Sequence, residues 1–220
     1  MKIMLPEHYF YSNKAGKAYV SKGKLYIEGN VNYERLIYDI VYFLKGKTTC
    51  YYCGNPLTSK KMTLDHKYPR FLGGISIPEN LEPCCKKCNL NKLCMTEEQF
   101  MVWSSIGSIK EKDLFFQNCV MENTEVLKKK KFLIPSEWIE IYDVSRYFRD
   151  VPFKRINKRK YKKLEIYFEK WHQYSKPIIV SANGWVFEGN HIITHAKKIN
   201  KHYVCAVVLE NVIVKKNSQK

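Results

Sequence analysis

This 220-residue chain contains no apolar run approaching the ~18 residues that suggest a membrane-spanning helix. Its start is apolar only from Ile3 to Pro6 before charge returns, so no secretory leader is expected. No Gly/Ser linker, internal repeat or low-complexity tract interrupts it, so neither a repeat array nor a flexible tether is expected. Acidic residues are scarce: 21 Asp+Glu stand against 38 Lys+Arg, a formal net charge of +17. That imbalance favours a polyanionic partner. An anionic membrane would call for a basic amphipathic helix with a broad apolar face or a lipidation signal, and neither is found, so DNA is the expected partner. Eight cysteines without a leader argue for a reducing, cytoplasmic setting in which thiols serve as ligands rather than disulfides.

What the chain does have is concentrated between Cys50 and Lys92. Cys50-Tyr51-Tyr52-Cys53 and Cys85-Lys86-Lys87-Cys88 are two Cys-x-x-Cys turns, each aiming two thiolates at one point, and together they supply tetrahedral Zn²⁺. Cys84 is an alternative to Cys85 with a longer turn. A redox dithiol would need only one such pair beside a βαβ unit. Four thiolates leave no open position for substrate, which makes this zinc structural.

Between the pairs lie Asp65-His66, then Pro69, Gly73 and Gly74, then Asn80-Leu81-Glu82-Pro83. Adjacent residues of a strand point to opposite faces. At a strand end, however, Asp65 and His66 can line one site. Asn89 directly follows the last zinc thiolate, so the zinc sets its position. Asp65 and Asn89 offer hard oxygens suited to Mg²⁺ or Mn²⁺, and His66 offers a base that titrates near neutrality.

On these motifs, residues 47–95 resemble the HNH endonuclease family: Cys-x-x-Cys, Asp-His-x-x-Pro, Gly-Gly, Glu-Asn-Leu-x-Pro and Cys-x-x-Cys-Asn-x-x-Lys. The resemblance implies a ββα-metal centre in which His66 is the general base and Asp65 a metal ligand. It also implies that Asn80 braces the loop carrying the histidine and that Asn89, often His in the family, completes the metal site. The activity implied is metal-assisted hydrolysis of DNA phosphodiesters. Two other functions are weighed beside it: a zinc-ribbon DNA-binding protein without catalysis, and a nuclease gated by nucleotide binding elsewhere in the chain.

Around this centre the spacing predicts strands near residues 18–20 and 25–27, and a helix over 33–45 capped by Asn32. It predicts a strand over 63–65, a second over 80–83 and a helix starting near Cys85 or Cys88. Thr96 and Gln99 form a capping box opening a helix to about Ser104, and a further helix runs over 113–131 into the lysine run 128–131. A strand over 138–144, a helix ending near Tyr174, strands at 178–180 and 185–188, a helix over 191–199 and a strand over 203–209 follow. Trp138, Trp171 and Trp185 read as core more readily than as base-stacking platforms.

The later segment, residues 135–214, resembles the ParB/sulfiredoxin-like fold through Lys176–Val180, Gly184–His191, Ala196–Lys198 and Val204–Glu210. In that fold a Gly-x-His-Arg or Gly-x-Arg-Arg segment meets a nucleotide phosphate. Here the segment is Gly189-Asn190-His191-Ile192, and Ile192 cannot pair with phosphate. The segment is therefore expected to bind DNA or serve as a scaffold. His191 and His195 are four apart on a helix but lack the glutamate of a His-Glu-x-x-His site, so a metal there is not the favoured reading.

The expected fold class is α+β: a zinc-bound ββα-metal centre plus a small α/β domain. The expected organisation is an N-terminal hairpin and helix (1–46), the nuclease centre (47–95), a helical connector (96–134), the ParB-like domain (135–214) and a basic tail (215–220). Contacts to DNA phosphate are expected from Lys154, Arg155, Lys158, Arg159, Lys162 and Lys163. Lys92 either contacts phosphate as well or is solvated.

Overall fold

The computed structural model describes residues 1–46, 49–58, 61–128, 134–144, 156–171 and 173–215. Its described elements begin with strands β1 (Phe10–Asn13), β2 (Gly16–Ser21) and β3 (Lys24–Gly29) and helix α1 (Tyr33–Lys45). Then come β4 (Met62–His66), β5 (Leu81–Cys85), α2 (Lys86–Lys92), α3 (Glu97–Ser105) and α4 (Ile109–Lys128). The remainder is β6 (Glu140–Asp143), α5 (Lys158–Trp171), β7 (Ile178–Ser181), β8 (Val186–Glu188), α6 (Asn190–Lys198), β9 (Tyr203–Leu209) and β10 (Val212–Lys215). This is a mixed α+β architecture.

The chain forms two units: Met1–Ile40 with Pro135–Lys220, and Val41–Ile134. The first contains two four-stranded sheets, ordered β1-β2-β3-β10 and β6-β9-β7-β8. The hairpin read from the sequence is β2–β3. It gains β1 on one edge and β10, running parallel to β3, on the other. The N-terminal strands therefore fold with the C-terminal end of the chain, and α1 straddles the boundary between units. Asn32 caps α1 by accepting from the Arg35 amide at 2.9 Å.

In the second sheet β9 pairs antiparallel with β6 and parallel with β7, and β7 pairs antiparallel with β8. Its core packs Ile178, Val180, Ala206 and Val204 against Ile192, Ile193 and Ala196 of α6 and Leu164 and Phe168 of α5. β-branched residues pack well on the pleated surface of such a sheet. Gly189 holds φ +103 before α6, and a Cβ there would meet Ile178 Cγ2 at 2.3 Å, so only glycine fits.

The second unit is built on the β4–β5 hairpin followed by α2. α3 opens with the capping box expected from the sequence, Thr96 and Gln99 exchanging side-chain and backbone bonds. Its core gathers Leu57, Met95, Phe100 and Cys119 around the cysteine turns. Among the described residues no helix is long and apolar enough to cross a membrane.

Candidate active site

The ligand atoms of Cys50, Cys53, Cys85 and Cys88 all lie within 4.8 Å of one another, with the Cys53 and Cys85 sulfurs 4.0 Å apart. Tetrahedral zinc with Zn–S bonds of ~2.3 Å sets its sulfurs about 3.8 Å apart, so the group is shaped to hold that metal. The Cys85 amide donates to Cys50 Sγ at 3.3 Å and the Cys88 amide to Cys85 Sγ at 3.4 Å. Burial pushes the Cys50 thiol up, but backbone N–H groups of Cys85, Cys53 and Tyr52 outweigh it and bring it down to about 7. Cys84 stands apart from this cluster. It is fully buried with its sulfur 3.4 Å from Thr63 Oγ1, and burial pushes its thiol up to about 12. The choice left open by the sequence falls on Cys85.

The cysteine turns set the frame for the hairpin. Cys85 ends β5 and also caps α2, so α2 starts where the second turn begins. Asn89, in the first turn after Cys88, donates through Nδ2 to Thr63 Oγ1 at 3.0 Å and to the Leu64 carbonyl at 3.2 Å. Its amide nitrogen is committed to β4, so a ligand atom from this side chain would be the amide oxygen.

Asp65 and His66 are the last two residues of β4. At this strand end both line one cleft of ≈ 480 Å³ with Asn89, Pro69, Arg70, Phe71, Leu93 and Cys94. Asp65 is buried at 7 % exposure, and its Oδ2 accepts from Tyr52 Oη at 2.6 Å. Burial first, then the Asp65 charge, holds the Tyr52 phenol far above its ordinary value, so it stays a donor. His66 Nε2 is hydrogen-bonded to Ser76 Oγ at 3.1 Å.

Asn80 is fully buried and pins the loop after His66 at both ends. Its Oδ1 accepts from the Tyr68 amide at 2.8 Å, and its Nδ2 donates to the carbonyls of Tyr68 at 3.2 Å and Ile75 at 2.9 Å. Between them the chain turns so tightly that a Cβ on Gly74 would lie 1.8 Å from the Tyr68 carbonyl oxygen. Gly74 is thus a steric requirement of this loop, and Gly73 beside it holds a left-handed φ of 91 that favours glycine.

Lys92 departs from both sequence expectations. It is fully buried, with Nζ 3.0 Å from Asp65 Oδ2 and donating to the His66 carbonyl at 2.7 Å. In that position it meets neither DNA nor bulk water. Tyr52 and Ser76 had no role in the sequence reading. The place of Tyr52 inside a cysteine turn is the one signal that could have marked it, whereas nothing in the sequence singles out Ser76. A second, partly buried pair, Lys45 with Glu82 at 2.8 Å, holds β5 at the residue opposite Asp65.

Of the expected DNA contacts, Lys154 and Arg155 lie outside the described residues. Lys158, Arg159, Lys162 and Lys163 are exposed on α5, on the side away from Leu164 and Phe168, and among the described residues none forms an ion pair. Lys215 is the last residue of β10, bonded to Glu28 at 3.0 Å, and residues 216–220 of the expected tail lie outside the described residues. Ile192 is buried in the core, and His195 packs inward with Nδ1 3.1 Å from Tyr174 Oη. Among the described residues no metal-ligating cluster includes His191 or His195.

A family model described as HNH endonuclease matches residues 50–102. That span contains both cysteine turns, Asp65, His66, Asn80 and Asn89. It suggests a nuclease, and thus DNA as the substrate, for this part of the chain. No curated protein and no solved structure matches the chain.

Proposed function

We propose that this protein is a metal-dependent DNA endonuclease that hydrolyses phosphodiester bonds in the cleft of its second unit. The observation that carries the proposal is the meeting of Asp65, His66 and Asn89 on one cleft beside the four thiols. Zinc on Cys50, Cys53, Cys85 and Cys88 has a structural role, because four thiolates close its coordination. Asp65 and Asn89 offer two hard oxygens, the donor set of Mg²⁺ or Mn²⁺. A divalent cation bound there supplies positive charge to the phosphodiester and to the leaving 3′ oxygen as negative charge builds on them.

The chain's own residues do the rest. His66, hydrogen-bonded through Nε2 to Ser76, takes the proton of the attacking water. Asn80 keeps the His66 loop in one conformation, so the base is in place before substrate arrives. The exposed bases of α5, with Lys154 and Arg155, neutralise phosphates of the duplex. We assign residues 135–214 a ParB/sulfiredoxin-like architecture serving DNA binding or scaffolding. The position where that family places an arginine is the buried Ile192, which cannot pair with a nucleotide phosphate and so favours DNA binding or scaffolding over nucleotide binding.

The test is incubation of supercoiled plasmid with zinc-loaded protein and Mg²⁺ or Mn²⁺, wild type beside His66→Ala. The wild type should give nicked or linear product. The variant should bind DNA but cut it on the order of 10²–10⁴-fold more slowly. Wild-type protein that binds DNA and leaves it intact with either metal would instead be a non-catalytic zinc-ribbon binder.

A further inference from the structure

We propose that Lys92 is a positioning residue for the metal site, holding Asp65 by Oδ2 so that Oδ1 is the oxygen offered to the cation. The proposal rests on the nuclease reading above.

Three observations carry it. First, Lys92 is fully buried, and its ammonium meets Asp65 Oδ2 at 3.0 Å and the His66 carbonyl at 2.7 Å. A buried ion pair is a poor stabiliser compared with apolar residues of the same volume, because desolvation offsets the attraction. Stability alone therefore does not call for a lysine here. Second, Lys92 stands three residues after Asn89, on the same face of α2. Asn89 bonds to Thr63 and Leu64, and Lys92 bonds to Asp65 and His66. One helical turn thus grips four consecutive residues of β4. Because Cys85 caps α2, the cysteine site sets where that grip falls. Third, Tyr52 donates to the same oxygen of Asp65 at 2.6 Å. Two donors on Oδ2 fix the carboxylate plane, and they come from the two sides of the cysteine cluster. Tyr52 lies inside the first turn and Lys92 one helical turn beyond the second.

The experiment is titration of Mn²⁺ into the zinc-loaded, full-length protein, with free Mn²⁺ followed by electron paramagnetic resonance. Wild type, Lys92→Met, Tyr52→Phe and Asp65→Ala are compared, with zinc content and melting temperature recorded for each. Loss of a group that orients a ligand typically weakens metal binding by roughly 10–100-fold, and that is the loss expected for Lys92→Met. Tyr52→Phe should weaken binding by a smaller factor in the same direction. Charge alone predicts the opposite sign, since deleting a cation beside a dication site tightens binding. Unchanged or tightened Mn²⁺ binding in Lys92→Met, even with a lower melting temperature, would overturn the proposal. If Lys92→Met does not fold, Tyr52→Phe decides: affinity equal to wild type overturns it. A wild type that binds no Mn²⁺, or Asp65→Ala with wild-type affinity, would instead remove the metal site itself and the nuclease reading with it.

Discussion

Replacing Asn80 with alanine tests whether the loop carrying His66 is held by one side chain. Asn80 is fully buried and makes three hydrogen bonds of 2.8, 3.2 and 2.9 Å to the backbone of Tyr68 and Ile75. Each is worth roughly 1 kcal/mol net, so truncation should cost about 3 kcal/mol. At about 4–8 °C per kcal/mol for a unit of this size, the melting transition should fall by roughly 12–24 °C. Asn80→Asp should be worse. Its second carboxylate oxygen would replace the amide nitrogen and face the carbonyl oxygens of Tyr68 and Ile75, turning two attractions into repulsions. The assay is thermal unfolding of the zinc-loaded protein, with plasmid cleavage measured below the transition. Asn80→Ala melting within about 2 °C of wild type would refute the bracing argument. So would Asn80→Asp proving more stable than Asn80→Ala, because the order of the two follows from donor and acceptor placement alone.

Three further outcomes follow from the same geometry. Cys85→Ser should lose bound zinc and unfold the second unit, whereas Cys84→Ser should keep it, as metal analysis of the purified variants would show. Asn89→Ala should raise the Mg²⁺ concentration needed for half-maximal cleavage, because it removes one of two hard oxygens at the cleft, and an unchanged requirement would exclude Asn89 as a ligand. Substituting Lys158, Arg159, Lys162 and Lys163 together by alanine should lower the slope of log affinity against log salt by about two or three phosphate contacts, at about 0.9 per contact. An unchanged slope on nonspecific duplex would show α5 to be a solvated face.

The local elements were legible where chemistry is local. Asn32 caps α1, Thr96 and Gln99 box α3, and the Gly-Gly pair marks a turn in which a side chain on Gly74 would clash with the Tyr68 carbonyl. Cysteine spacing marked out the four-thiol cluster, since two Cys-x-x-Cys turns have few other ways to satisfy four sulfurs. The strand joining the two ends of the chain was not legible. β10 pairs with β3, and a parallel partnership across nearly the whole sequence leaves no mark in either strand's own pattern.

The sequence by itself determined which residues could do chemistry: four soft sulfurs, two hard oxygens and one imidazole, each set by atom type and spacing. It also determined the excess of positive charge, which needs no fold to be counted. Only the tertiary structure decided which of two adjacent cysteines turns toward the cluster, because Cys84 and Cys85 alternate across β5 and the pairing with β4 sets the faces. Only the tertiary structure turned Lys92 inward, onto Asp65. A lysine's charge favours solvent, and nothing local overrides that preference. The partner carboxylate and carbonyl that override it lie more than 20 residues away, and they meet Lys92 only once α2 has packed against β4.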